Sequence, residues 1–270
     1  MFGSEARSGS VQFRAPAHHP LRGALRACAV LSTFLVFLCG FSVFTRLAML
    51  FVSPFGEMRR LRFGQAVMHR FFKAAAWLFG IQITHEGPLP APGSMVVANH
   101  HSYMDIVALG AMVPCFFLSK AEVSRWPLLG PGAAAAGIAF VKRDSPRSRK
   151  AALETLLRRV QAGFTVVNFP SGTTCRQGET VRFRTGLFRV IAGTPVCLVP
   201  TSLRYEDGAA DWVGDATFVG HLVRLAAKPR LRVHVAFHRP LNARDSGGDA
   251  LRDACEGLVN ASISSSTKEG

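Results

Sequence analysis

The chain has 270 residues, 49% of them hydrophobic and 18% charged, with 32 Lys and Arg against 17 Asp and Glu. That length suits one ordinary domain plus a short appendage, and the composition excludes a disordered, collagen-like or low-complexity chain. The formal net charge of +15 points to acidic partners: anionic lipid, nucleic acid, or an acidic carrier or substrate.

Residues 1–24 are a basic lead segment carrying Arg7, Arg14 and Arg22. An uncharged run follows from Ala27 to Thr45, between Arg26 and Arg46. At about 1.5 Å per residue it reaches roughly 28 Å, close to the ~30 Å hydrocarbon core of a bilayer. A secretory signal has a shorter apolar region, of about 7–15 residues, and this run continues to Val52. It is the only long apolar run, so a polytopic membrane protein is excluded. Basic residues stand on both sides, with Arg59, Arg60, Arg62, Arg70 and Lys73 beyond it. That distribution fits a monotopic anchor as well as a spanning helix. Leu61 to Ile81 forms the next helix, with Phe63, Val67, Phe71, Ala74, Ala75 and Leu78 at helical spacing. Its apolar side either meets an anionic lipid surface or packs on the main domain, and the two roles can coexist. Residues 25–80 are therefore read as a membrane-associated helical element.

After Ile81 the pattern becomes mixed. Seven short runs bounded by Gly, Pro and Asn read as strands: 81–84, 95–98, 116–118, 138–141, 165–169, 196–199 and 231–237. The clearest intervening helix is Pro146 to Ala162, with Asp144 or Ser145 to cap it and Gly163 to end it. Strands alternating with helices predict an α/β domain over 81–261, a central, largely parallel mixed sheet flanked by helices. Residues 262–270 read as a flexible tail. The six cysteines form no C-x-x-C pair and no zinc pattern, so they read as small buried thiols in a reducing compartment.

The chemistry concentrates where an apolar strand ends at Asn99, giving N-H-H-S-Y-M-D through Asp105. Ligands of open α/β sheets bind beyond the carboxyl ends of strands. On one continuous helix His100 and Asp105 would stand roughly 140° apart and could not meet. If the helix starts near Ser102, with His100 in the turn, they converge into a base oriented by a carboxylate. His101 competes, because with Asp105 it makes an i,i+4 pair on a plain helix. Geometry leaves the two histidines equal.

Asn-His-x-x-x-x-Asp after an apolar strand resembles the first block of the glycerolipid acyltransferases, typified by 1-acyl-glycerol-3-phosphate acyltransferase. Three further blocks follow in family order: G-I-A-F-V-K-R at Gly137 to Arg143, F-P-S-G-T-T at Phe169 to Thr174, and V-C-L-V-P at Val196 to Pro200. The resemblance covers roughly residues 80–240 and selects His100 over His101. The apolar N-terminal helices are similar to a two-helix element that holds bacterial members at the membrane.

The resemblance implies direct transfer of an acyl group from acyl carrier protein or coenzyme A to a lysolipid hydroxyl. His100 is the general base, oriented by Asp105, and neither a metal nor a cofactor is implied. It also implies the inner membrane, with the active domain facing the cytoplasm. Asn99, Lys120, Arg143, Ser171, Gly172, Thr173, Thr174 and Arg176 are the implied substrate-binding residues. The third block departs from the family's usual F-P-E-G-T-R, since Ser171 replaces Glu and Thr174 replaces Arg. A planar Arg fork suits phosphate, so its loss weakens the phosphate acceptor, unless Arg143 or Arg176 compensates. The leading expectation is 1-acyl-glycerol-3-phosphate, giving phosphatidic acid in phospholipid biosynthesis. The alternative is lyso-ornithine lipid, a phosphorus-free aminolipid. Ser119 to Gly130 and Trp212 to Phe218 resemble the subgroup that acylates it. A non-catalytic lipid-binding protein is the rival of another class.

Lys120 reads equally as a phosphate contact or a solvated charge. The Lys142 to Lys150 stretch reads as a solvated helix start, apart from Arg143. Arg182, Arg184 and Arg189 are candidates to line the acceptor cleft. Nucleic-acid binding is set aside, because no zinc pattern, basic zipper or aromatic RNA-binding signature occurs. No G-x-S-x-G elbow supports a serine hydrolase.

Overall fold

The computed structural model describes residues 20–244 and 246–266. Arg7 and Arg14 of the basic lead segment lie outside them. The chain opens with α1 (Pro20–Val52) and, after a 3-10 turn, α2 (Glu57–Phe79). Then follow β1 (Ile81–Glu86), β2 (Met95–Ala98), α3 (Tyr103–Met112), β3 (Phe116–Lys120), α4 (Leu129–Ala135), β4 (Ala139–Val141), α5 (Pro146–Gln161) and β5 (Val166–Asn168). The remainder is α6 (Gly186–Ile191), β6 (Cys197–Tyr205), α7 (Phe218–Ala227), β7 (Leu231–Phe237), β8 (Leu241–Asn242) and α8 (Gly248–Ser266).

The strands form one sheet in the order β1-β7-β6-β2-β5-β3-β4, with β8 also beside β6. Strands β2 to β6 run parallel to one another. β7 and β8 run antiparallel to β6, and β1 runs with β7. The expected α/β class with a largely parallel mixed sheet is the observed one. Two apolar layers sandwich the sheet. One, with Phe71, Phe72, Phe117, Val96 and Val235, lies under α1, α2 and α3. The other, with Met95, Phe116, Leu156, Phe188 and Val259, lies under α5, α6 and α8.

Each predicted strand has its counterpart, and α5 ends one residue before the predicted Ala162. Ser145 Oγ accepts from the Ser148 N–H at 3.2 Å, so Ser145 rather than Asp144 is the cap. Gly163 follows the helix at φ +86°. The expected tail begins inside α8, whose apolar side carries Leu251, Cys255 and Val259 into the core. Residues 262–266 are thus helical, and 267–270 lie outside the described residues. The six cysteines are free thiols, but only Cys115 and Cys255 are buried. Cys28 and Cys197 are exposed, against the expectation of uniformly buried thiols.

The two N-terminal helices divide the possibilities that their sequence left open. α2 docks on the domain through Leu61, Val67, Met68, Phe71, Phe72 and Phe79. Phe72 meets Phe117 edge-on at 5.7 Å between centroids. Gly64 permits the approach, since a Cβ there would stand 2.3 Å from the Ala136 carbonyl oxygen. Gly64→Ala is expected to lower stability by about 1–3 kcal/mol, through forced separation of α2 from the turn after α4. Thermal unfolding in detergent checks it, and an unchanged midpoint would contradict this packing.

α1 lies along the domain as well. Ala27, Val30, Leu38, Phe41 and Met49 are buried. The Arg26 guanidinium donates to the Ala226 and Pro229 carbonyls at the end of α7. Ser42 and Phe41 meet α4 beside Gly132. The other face of α1 is apolar and exposed, with Leu25, Leu35, Val36, Val43, Phe44, Leu47, Leu50 and Phe51. α1 with its 3-10 extension is long and apolar enough to cross a membrane, by length and composition.

Candidate active site

Strand β2 is buried along its whole length and delivers Asn99 to the carboxyl edge of the sheet. Helix α3 starts only at Tyr103, with Ser102 as its N-cap. Ser102 Oγ accepts from the Met104 N–H at 3.3 Å. His100 therefore stands in the turn, which lets it meet Asp105. The His100 Nδ1···Asp105 Oδ2 distance is 2.7 Å. The i,i+4 side-chain pair open to His101 does not form, because no helix exists at His101.

Asp105 is fully buried, and both carboxylate oxygens accept hydrogen bonds. Oδ2 accepts from His100 Nδ1, the His101 N–H at 2.6 Å and the Ser102 N–H at 2.9 Å. Oδ1 accepts from the Tyr205 hydroxyl at 2.7 Å. Burial alone would raise the Asp105 pKa. The hydrogen bond and charge of His100, the charge of His101 and the Ser102 N–H outweigh it and hold the carboxyl below its ordinary range. Burial and the adjacent carboxylate push the Tyr205 phenol well above its ordinary pKa, so it stays a donor.

An ionised Asp105 fixes the His100 tautomer: Nδ1 carries the proton and Nε2 is left as the acceptor. The ring lies flat on Phe169, with centroids 4.1 Å apart and planes within 16°. Its side chain is 12% exposed, enough to be reached and too little to swing freely. This is a positioned base.

His101 turns the other way, into the core. Its Nδ1 donates to the Cys175 carbonyl at 2.9 Å, and its Nε2 lies 2.8 Å from the Asn99 amide nitrogen and 3.2 Å from the Leu203 carbonyl. Asn99 is itself consumed by strand β6: its Nδ2 donates to the Leu203 carbonyl at 2.9 Å, and its Oδ1 accepts from the Leu203 N–H at 2.7 Å. Asn99 was expected to meet substrate. Fully buried and doubly bonded to β6, it holds the turn to the sheet.

The third block forms the loop after β5, packed on the same turn. The Cys175 N–H donates to the His100 carbonyl at 2.9 Å. Gly172 adopts φ +70°, a region costly to other residues. Ser171 Oγ donates to the Thr173 carbonyl at 2.7 Å, and Thr174 Oγ1 donates to the Trp212 carbonyl at 2.5 Å. The Trp212 N–H in turn donates to the His101 carbonyl at 2.9 Å. Of the two residues that replace Glu and Arg, Ser171 thus braces the loop internally and Thr174 ties it to the residue 212 segment. Thr173 itself is exposed.

The basic candidates separate. Lys120 ends β3 and pairs with Glu122 at 3.5 Å. Arg143 follows β4 at the same edge of the sheet. Arg176 sits farther along the loop, where its N–H donates to Glu179. Arg189, a candidate for the cleft, instead faces α8 and meets Asp249 at 3.5 Å. Phe169 and Tyr205 are the positioning residues that the sequence left unassigned. Tyr205 is 100 positions from Asp105, so no local pattern could pair them.

The family model described as Acyltransferase matches residues 80–204, which contain the His100–Asp105 pair. Residues 80–204 are an acyltransferase-family domain. Lyso-ornithine lipid O-acyltransferase of Pseudomonas aeruginosa is 36% identical over 173 residues, covering 62% of this chain and 66% of that protein. The protein of the same name from Rhodobacter capsulatus is 34% identical, covering 62% and 65%. The chain thus spans just under two thirds of these two relatives. The 1-acyl-sn-glycerol-3-phosphate acyltransferase of Neisseria meningitidis is 28% identical, covering 70% and 76%. The crystal structure of the 1-acyl-sn-glycerophosphate acyltransferase PlsC from Thermotoga maritima superposes with a TM-score of 0.69, over 92% of this chain and 97% of that one. At 19% identity that likeness shows that the acyltransferase domain and its N-terminal helices share a fold with PlsC.

Proposed function

We propose that the protein moves a fatty acyl group from a thioester, on acyl carrier protein or coenzyme A, to the free hydroxyl of a lysolipid. The observation that carries this is the His100–Asp105 pair, set at the carboxyl edge of the sheet of an acyltransferase-family domain. His100 Nε2 takes the acceptor hydroxyl's proton as the oxygen attacks the thioester carbonyl. Asp105 stabilises the imidazolium that forms. The tetrahedral intermediate then collapses, the C–S bond breaks, and imidazolium returns the proton to the leaving thiolate. The step is direct, with no acyl-enzyme, metal or cofactor in it.

The acceptor read first is lyso-ornithine lipid. Two relatives above 30% identity carry that name, and Thr174 spends its hydroxyl on the Trp212 carbonyl where an Arg would serve phosphate. The second reading is 1-acyl-glycerol-3-phosphate, supported by the Neisseria relative and by the basic residues at the sheet edge. The lipid-binding reading rested on the altered third block. Its motivation falls once Ser171 and Thr174 have structural partners beside an assembled base.

The exposed apolar face of α1 gives the membrane contact. Because its opposite face packs on α2, α4 and α7, we read it as lying in one leaflet, with Trp77, 82% exposed, at the lipid interface. Exposed Arg59, Arg60, Arg62, Arg70 and Lys73 suit an anionic surface. The domain then faces the cytoplasm, where acyl thioesters are made.

Expression in bacteria tests the acceptor. In cells that make lyso-ornithine lipid but cannot acylate it, the protein is expected to restore ornithine lipid. In a strain conditionally lacking 1-acyl-glycerol-3-phosphate acyltransferase, rescue of growth would favour the second reading. Neither result would count against both. Tyr205→Phe is expected to slow transfer about 3- to 10-fold with the acceptor KM unchanged, because one charge-oriented hydrogen bond to Asp105 is lost. An unchanged kcat would remove Tyr205 from the positioning of the base.

A further inference from the structure

Four aromatic side chains crowd the rim of the catalytic turn, and the proton transfer uses none of them. Tyr103 is the first residue of α3, and Trp212 is tied to the turn by the bond from its N–H to the His101 carbonyl. The Tyr103 ring meets Trp212 edge-on at 5.4 Å between centroids and Phe218 at 4.9 Å. Trp126 completes the group, 4.7 Å from Phe218. The segments 119–130 and 212–218, far apart in the chain, thus come together beside the base. Trp126 is held there against strain. Two residues on, Leu128 adopts φ +65° and ψ −55°, and the Leu129 N–H closes the turn on the Pro127 carbonyl at 2.7 Å. Leu128 and Leu129 pack on the same apolar layer as Tyr103 and Phe169, the ring stacked on His100.

The polar atoms of two of these rings are already occupied. The Tyr103 hydroxyl lies 2.9 Å from His221 Nδ1, and the Trp212 indole N–H donates to the Ala216 carbonyl at 2.7 Å. All four rings are partly exposed, so the surface they leave open is apolar. Trp126 precedes α4 and Phe218 opens α7, and both helices lie on α1, whose outer face is apolar. A surface of this kind beside the base distinguishes two classes of hydroxyl. On glycerol, the carbons next to the carbinol carry ester and phosphate oxygens. On a 3-hydroxy fatty chain, such as lyso-ornithine lipid bears, the carbinol carbon itself carries an alkyl tail. With that hydroxyl at His100 Nε2, the tail lies against whatever borders the base.

We propose that Trp126, Phe218, Trp212 and Tyr103 form an apolar wall for the alkyl tail attached to the acceptor's carbinol carbon, which fits the site to hydroxy-fatty-acyl acceptors. The wall's role rests on the transfer reaction proposed above and narrows its acceptor class.

The test uses full-length protein in detergent, with Trp126→Ala, Trp126→Phe and Phe218→Leu. The acceptors are N-(3-hydroxybutanoyl)-ornithine, N-(3-hydroxyhexadecanoyl)-ornithine and 1-oleoyl-glycerol-3-phosphate, each with octanoyl- and hexadecanoyl-coenzyme A. Dividing each variant's kcat/KM by that of wild type cancels partition of the tail into detergent. Trp126→Ala is expected to lower the ratio about 10- to 100-fold with the hexadecanoyl acceptor, from two or three methylenes losing contact at roughly 4-fold each. With the butanoyl acceptor the loss should be under about 3-fold. Trp126→Phe and Phe218→Leu keep much of the bulk and should show smaller losses of the same dependence, which carries the test if Trp126→Ala does not fold. Equal losses with both tails would overturn the wall, because a merely structural role lowers both alike. A loss that follows the donor's chain length instead would also overturn it, by giving the wall to the thioester. Transfer by wild type to 1-oleoyl-glycerol-3-phosphate and to neither hydroxyacyl-ornithine would overturn the acceptor class and leave the transfer reading standing. If wild type transfers to no acceptor, the transfer reading fails, and equilibrium retention of radiolabelled N-(3-hydroxyhexadecanoyl)-ornithine decides the wall alone. Retention lowered in the Trp126 variants would support it, and equal retention would overturn it.

Discussion

His100→Ala is expected to cut acyl transfer by about 10²–10⁴-fold, the range for loss of a positioned general base, and to leave the protein folded. The fold should survive because the ring sits at the rim of the turn, stacked on Phe169, and none of the turn's backbone bonds passes through it. The Asp105 carboxylate keeps three of its four donors in the variant. The chemistry should not survive. A lysolipid hydroxyl is a poor nucleophile at neutral pH, and Nε2 is the ring atom that the Asp105 bond leaves free to take its proton. Initial rates with saturating donor and acceptor, beside thermal unfolding, separate the two effects. Full activity in a folded variant would refute His100 as the base.

Asp105→Ala should damage more than the reaction. Sequence reading placed Asp105 only as the partner of His100, and the structure adds three further donors to it. The His101 and Ser102 N–H groups and the Tyr205 hydroxyl converge on a carboxylate with no exposure, and truncation strands them. The cost is about 3–5 kcal/mol, given roughly 1–3 kcal/mol for each stranded buried group and incomplete additivity. At roughly 2–4 °C per kcal/mol for a chain of this size, the unfolding midpoint should fall by about 6–20 °C. Asp105→Asn behaves differently. An amide oxygen at the Oδ2 position keeps the three N–H donors, and the amide NH₂ faces the Tyr205 hydroxyl, which rotates to accept. This variant should unfold within a few degrees of wild type, yet lose about 10²–10⁴-fold in kcat, because no charge remains to stabilise imidazolium. Equal loss of stability in both variants would contradict this account of the network.

The parts of this architecture that rest on local pattern were legible in the chain itself. Alternating apolar runs and Gly or Pro boundaries located the seven longer strands, and the stripe of Ala152, Leu156 and Val160 located α5. The N-H-H-S-Y-M-D segment located the turn, and its Ser102 cap explains why His100 and Asp105 meet. What the sequence hid depends on contacts across the fold. β8 is two residues long and exists only because it lies beside β6. Tyr205 reaches Asp105 from the far end of β6, and Phe169 reaches His100 from the end of β5. Asn99 looked like a ligand residue because an amide beside a catalytic histidine carries no mark of burial. Arg176 looked nearer to the altered third block than Arg184, but the chain folds the more distant arginine back over Gly172. The apolar stripe of α2 could have served lipid or core. The observed burial of Val67, Phe71 and Phe79 comes from sheet and helix neighbours that its own periodicity does not name.

The central claim is that this chain acylates a lysolipid hydroxyl directly, using His100. The measurement that tests it most directly is transfer of a labelled acyl group by purified, detergent-solubilised full-length protein. Acyl carrier protein and coenzyme A thioesters are offered as donors, with lyso-ornithine lipid and 1-acyl-glycerol-3-phosphate in parallel as acceptors. The account predicts labelled diacyl product from at least one acceptor, no label left on the protein, and a rate cut by about 10²–10⁴-fold in His100→Ala. Absence of product with every donor and acceptor pair, or label held covalently by the enzyme as an intermediate, would contradict it.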